Sequence, residues 1–206
     1  EFYRLVTTPP ARGTPPLGED HPYYVLREAS GGDAGRDQAR FEEALGEAIE
    51  AGLVADAVIA SSEAQRESLW ALRDDVESFF RLGMPVTFDI SLPVTEMEDY
   101  VREVLARLEQ EWPAYRRFVF GHLGDGNLHI IAAGPPSREA RHGIERCVSE
   151  PLAARAGSVS AEHGIGLEKQ PWLRLSRGPA ELDLMRRLKA ALDPRNILNP
   201  GRVLPN

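Results

Sequence analysis

Apolar positions along the chain change their spacing several times, and each change predicts an element. Pro9, Pro10, Pro15, Pro16 and Pro22, with Gly13 and Gly18 between them, interrupt the start of the sequence. Proline removes backbone donors and glycine resists ordering, so residues 1–22 read as a Pro-rich linker. Residues 23–28 have the aromatic and β-branched content of a strand. Phe41, Ala44, Leu45, Ala48 and Ile49 then recur at helical spacing, with Gly52 placed to end the helix. Residues 54–60 predict a second strand. Ser62 can cap a long helix carrying Leu69, Leu72, Val76, Phe79 and Phe80 on one face and stopping at Gly83. Residues 86–92 predict a third strand, halted by Pro93, and Thr95 with Glu98 forms a capping box ahead of Met97, Val101, Val104, Leu105 and Leu108. A hairpin over 117–132, a helix over 137–156, a short strand over 158–161 and a helix over 181–192 complete the order. The tight hairpin rules out a purely parallel sheet. The expected class is α+β: an antiparallel sheet of ferredoxin-like kind, doubled, with helices packed on one face.

Composition narrows this. The 206 residues are 42 % hydrophobic and 27 % charged, enough apolar content for one globular domain with a core. A formal net charge of −8 and the lack of a basic stripe argue against nucleic acid as a partner. No apolar run approaches the roughly 20 residues of a membrane span. Cys147 is the one cysteine, so it forms no internal disulfide, and its helical context reads as a small buried apolar residue. A reducing, cytoplasmic setting is expected, with peripheral association at the inner membrane for a longer parent protein. The chain begins at Glu1 and reads as an excised piece.

The candidate chemistry lies between Gly121 and His129. His122 and His129 stand seven apart, which in one strand would put them on opposite faces, because side chains alternate. The Asp125-Gly126 turn folds the chain back, so both imidazoles can converge. Glu162 and His163, at the end of a short β-branched run and before Gly164 and Gly166, offer further donors. Neutral imidazoles with one carboxylate suit zinc, manganese or ferrous iron with a position left open, and zinc is the first expectation. No Gly-x-Gly-x-x-Gly leads from a strand into a helix, and Gly121 to Gly126 lead into another strand, so a phosphate cradle is not indicated.

Five motifs together resemble the C-terminal domain of FAD-linked oxidases of the vanillyl-alcohol-oxidase type, in the branch of D-lactate dehydrogenase, the glycolate oxidase flavin subunit and D-2-hydroxyglutarate dehydrogenase. They are Trp70-Ala71-Leu72-Arg73, Asp89-Ile90-Ser91-Leu92-Pro93, the stretch from Gly121 to His129, Glu162-His163-Gly164-Ile165-Gly166, and the tail from Leu192 to Arg202. The resemblance implies a cap and substrate domain over residues 23–193 and a tail, 194–206, directed toward the flavin. FAD would be held mainly by a separate FAD-binding domain, the partner missing here. The resemblance also makes His122, His129 and Glu162 the metal ligands. His163 becomes the catalytic group near the substrate hydroxyl, Arg73 a contact to the substrate carboxylate, and Asn199 a residue of the flavin side. The Asp89 run is given no catalytic role.

The hydroxyglutarate branch carries a lysine and an asparagine near substrate where this sequence has Thr87 and Ile131. Neither can hold a distal carboxylate, which favours a lactate- or glycolate-like 2-hydroxy acid. Two other readings stay open. One is a free-standing metal-dependent hydrolase or isomerase in which the same residues activate water. The other is a non-enzymatic sensing or oligomerisation module with a closed structural metal. A homodimer is compatible with all three, and Arg73 could instead pair with Glu77 along a helix face.

Overall fold

The computed structural model describes residues 1–204, which fall into two compact units, Phe2–Ser78 and Phe79 onward. The second unit, which also takes in Glu1, carries the sheet. Strand β1 (Met84–Ser91) lies on one edge, β2 (Arg116–His122) on the other, and β3 (Asn127–Gly134) runs between them, antiparallel to both. Every residue of β3 is buried. Helices α4 (Met97–Glu111) and α5 (Arg138–Ser149) cover one face. There Val86, Ile90, Leu128, Ile130 and Ala132 pack with Tyr100, Val104, Leu108, Ile144 and Val148. The expected class, α+β with an antiparallel sheet and helices on one face, is what forms.

Strand alternation sends the odd-numbered residues of β1 and β3 and the even-numbered residues of β2 to the other face. The register there gives three rows: Thr87, Ile131 and Phe118; Asp89, His129 and Phe120; Ser91, Asn127 and His122. Phe79 closes the apolar end of this face, edge-on to Phe118 and stacked on Phe120 at centroid distances of 5.0 and 6.0 Å.

Several boundaries differ from expectation for local reasons. The 137–156 helix is cut at Ser149 and continues as a 3-10 segment to Arg155, because Pro151 has no N–H to give Cys147. Ser137 caps it, accepting from the Ala140 N–H. The Thr95–Glu98 capping box does not form. A 3-10 turn over Val94–Glu96 follows Pro93, so α4 starts at Met97 and Thr95 lies inside the turn. Residues 158–161 make only an isolated bridge, Ser158 to Ser91, because the next two amides turn to hydroxyls, Val159 N–H to Ser176 Oγ at 2.9 Å and Ser160 N–H to Ser158 Oγ at 3.3 Å. Cys147 is buried as expected, and burial pushes its thiol up to about 11. The last helix, α6, spans Pro179–Leu192.

In the first unit, α1 (Phe2–Thr7) precedes the prolines, so the predicted linker begins with a helix, and residues 11–22 carry no regular structure. Helix α2 (Ala34–Glu50) is capped by Asp33 and α3 (Glu63–Asp74) by Ser62. The long helix expected to run to Gly83 ends at Asp74. Adjacent acids at its C-terminus oppose the helix dipole, and Ser78 donates to Asp75 in the turn beyond. The runs 23–28 and 54–60, expected as strands, pair with nothing in sheet fashion. A doubled ferredoxin-like sheet would need them, and the described residues form one three-stranded sheet. No helix of the described residues is long and apolar enough to cross a membrane.

Candidate metal centre

The hairpin does what the spacing required. His122 pairs with Asn127, and His129 pairs with Phe120 one row away, so the two imidazoles occupy the same face on neighbouring strands with centroids 5.7 Å apart. Two glycines permit this. Gly126 takes φ +74° in the turn, and a Cβ on Gly121 would lie 2.3 Å from the Asn127 carbonyl oxygen.

The segment carrying Glu162 and His163 is brought to this face by Asp89. That carboxylate, 1 % exposed, accepts at Oδ2 from the backbone N–H groups of His163 (2.8 Å), Glu162 (3.0 Å) and Ala161 (3.2 Å). Lys169 Nζ lies 3.1 Å from the same oxygen and also donates to the Asp89 carbonyl (3.1 Å) and to Ser160 Oγ (2.9 Å). Burial works to raise the Asp89 pKa. The amides of His163 and Glu162 and the Lys169 ammonium outweigh it and bring the group down to about 2.

His129 Nε2 then stands 3.4 Å from Glu162 Oε1, which also accepts from Asn127 Nδ2 at 2.9 Å. The His129 and His163 rings stack at 5.7 Å, and His163 Nδ1 is 3.9 Å from Asp89. Burial lowers the His129 pKa against the opposing pull of Asp89 and Glu162, which favours the neutral imidazole a metal needs. Asp89, His129, Glu162 and His163 each offer a ligand atom, all within 4.8 Å of one another. Oδ2 of Asp89 is poorly suited to ligation, because it is already filled by three amides and an ammonium. His122, the other expected ligand, is not a member of this group; it is exposed at the end of β2 with its ring centroid 5.7 Å from that of His129. The donor set of imidazoles, one carboxylate and a partly exposed rim fits a divalent cation with an open position. The buried Asn127 Oδ1, without a hydrogen-bond partner, marks the same spot as polar and incompletely satisfied.

Two further residues were expected at the site, Arg73 and Asn199. Arg73 is in the first unit, at the end of α3, ion-paired with Asp74 at 3.1 Å; Glu77 falls in the 3-10 turn past the helix. Asn199 is exposed in the tail at φ +47°. That tail returns to the loop just beyond His163, where the Val203 N–H donates to the Gly166 carbonyl and Gln170 Nε2 to the Gly201 carbonyl. Sequence reasoning gave Lys169 and Asn127 no role and took Asp89, though it opens one of the five motifs, as structural only. A lone acid between Phe88 and Ile90 was a second signal for it.

The family described as FAD linked oxidases, C-terminal domain, matches residues 7–203, and the chain belongs to it. Similar proteins include the D-2-hydroxyglutarate dehydrogenase, mitochondrial, of Rattus norvegicus, 40 % identical over 190 residues, which cover 91 % of this chain and 35 % of that protein. The D-2-hydroxyglutarate dehydrogenase of Xanthomonas citri pv. viticola is 37 % identical over 194 residues, covering 91 % and 41 %. The mitochondrial enzyme of that name from Arabidopsis thaliana is 37 % identical over 193 residues, covering 93 % and 34 %. The chain therefore spans roughly a third to two-fifths of the length of these relatives.

Proposed function

We propose that this chain is the substrate and cap portion of an FAD-dependent, metal-assisted oxidoreductase that converts a D-2-hydroxy acid to the 2-oxo acid. The observation that carries the reading is that the loop residues Glu162 and His163 gather around His129, with His122 on the neighbouring strand, in a chain of the FAD-linked oxidase family. His122, His129 and Glu162 would hold the cation, and His129 enters the set neutral. A bound divalent metal, zinc first and manganese or iron as alternatives, supplies Lewis acidity toward the substrate hydroxyl. The flavin, held mainly by a separate domain, supplies the hydride acceptor.

His163 presents one ring edge to Asp89 through Nδ1, leaving Nε2 to take the hydroxyl proton. Asn127 fixes one oxygen of Glu162. Arg73 is assigned to the substrate carboxylate and Asn199 to the flavin side on resemblance alone. Thr87 and Ile131 stand opposite each other two residues from the Asp89–His129 pair and offer no charge. That supports a lactate- or glycolate-like substrate over a dicarboxylate, although the relatives are named for hydroxyglutarate. Family membership favours flavin chemistry over a free-standing hydrolase.

In a polypeptide carrying both halves, D-lactate or glycolate should bleach the flavin anaerobically and D-2-hydroxyglutarate should do so poorly. His163→Ala should slow bleaching by about 100-fold or more, the scale of a lost general base. Bleaching by every substrate at the parent rate in His163→Ala would refute the assignment.

A further inference from the structure

Ligand sets of this kind need a second layer that fixes their direction, and here one buried ion pair does so for an entire loop. We propose that Asp89 and Lys169 are the positioning pair of this centre, holding the backbone of residues 161–163 so that Glu162 and His163 face His129. The inference rests on the metal-site reading above.

Three successive amides aimed at one carboxylate oxygen leave the loop little freedom, since each bond fixes a different peptide plane. Lys169 closes the arrangement from the far side. Its ammonium bridges the Asp89 carboxylate, the Asp89 carbonyl and the Ser160 hydroxyl, tying both ends of the turn to β1. Before the turn, Ser158 and Ser91 exchange backbone bonds of 2.7 and 3.1 Å. Asp89 also stands directly opposite His129 in the strand register. The loop is thus fixed to the same residue pair that carries the central imidazole. Neither Asp89 nor Lys169 has to touch a metal or substrate for this. Asp89→Asn would turn an NH2 group or an uncharged oxygen toward three donors, and Lys169→Met would leave a buried carboxylate without its cation.

The test is Mn2+ titration of the full 206-residue chain, read by calorimetry, with amide exchange of residues 161–163 measured in parallel. Asp89→Asn should weaken Mn2+ binding by about 10- to 100-fold, the range for lost outer partners. Lys169→Met should act in the same direction, Lys169→Arg should restore most of the affinity, and the three amides should exchange faster in the first two variants. If Asp89→Asn does not fold, Lys169→Met decides, since its side chain is partly exposed and lies outside the sheet core. Parent-like affinity in both variants, with binding lost in His129→Ala and Glu162→Ala, would overturn the positioning role and leave the metal site standing. A parent chain that does not bind Mn2+, or binds it regardless of His129→Ala and Glu162→Ala, would remove the site and the positioning role together.

Discussion

Helices α2 and α4 carry the same kind of apolar periodicity and meet different fates. In α4, Met97, Tyr100, Val104 and Leu108 are buried, whereas α2 has no buried residue and leaves Phe41 and Leu45 half-buried. The difference lies in what each helix faces. Helix α4 lies on a sheet whose strands satisfy one another, so its apolar stripe meets a continuous apolar surface. Beside α2 in the chain stand two strand-prone runs, 23–28 and 54–60, that found no ladder partner. Periodicity specifies a helix, and burial also requires an opposing surface.

The largest expected effect tests that contrast. Leu108→Ala should cost about 2–5 kcal/mol in urea unfolding, as for other fully buried leucines, while Leu45→Ala in α2 should cost about 1 kcal/mol or less. Equal costs would break the comparison. Next comes acid. Asp89 titrates at about 2 in the folded chain, below the 3.8 of an unperturbed group. Its contribution is therefore complete above the unfolded value and is lost as pH falls toward the folded one. That is about 2 kcal/mol disappearing between roughly pH 4 and pH 2, read as a falling urea midpoint. Smaller still, Asp33→Ala removes the α2 cap and should destabilise that helix by about 1 kcal/mol, read as faster amide exchange in its first turn without a change in α4. The smallest effect is expected at the tail. Asp193, held below the ordinary carboxylate range by Lys189 and by the Ile197 and Leu198 amides, should release those two amides to faster exchange in Asp193→Asn.

The parts of the fold legible in the sequence were those fixed by local chemistry. The Asp125-Gly126 turn, the cap at Ser62 and the α4 stripe all follow from residues within a few positions of each other. The convergence of His122 and His129 was legible for the same reason, since one tight turn decides it. Glu162 and His163 were recognisable as donors, but their route to the site was not. It depends on Asp89 and Lys169, 80 positions apart, and on a strand register that no local pattern prints. The strand expected over 158–161 failed because serine hydroxyls compete for its amides, Ser176 Oγ for that of Val159 and Ser158 Oγ for that of Ser160. The runs 23–28 and 54–60 show the converse error, in which propensity was read without a partner.

The most direct measurement of the central claim is anomalous diffraction from crystals of this chain grown with Mn2+ or Zn2+. The account predicts one anomalous peak within about 2.0–2.3 Å of donor atoms of His122, His129 and Glu162, with Asp89 outside the coordination sphere. A well-ordered structure at saturating metal with no peak there, or with the ion on Asp89 instead of His122, would contradict it.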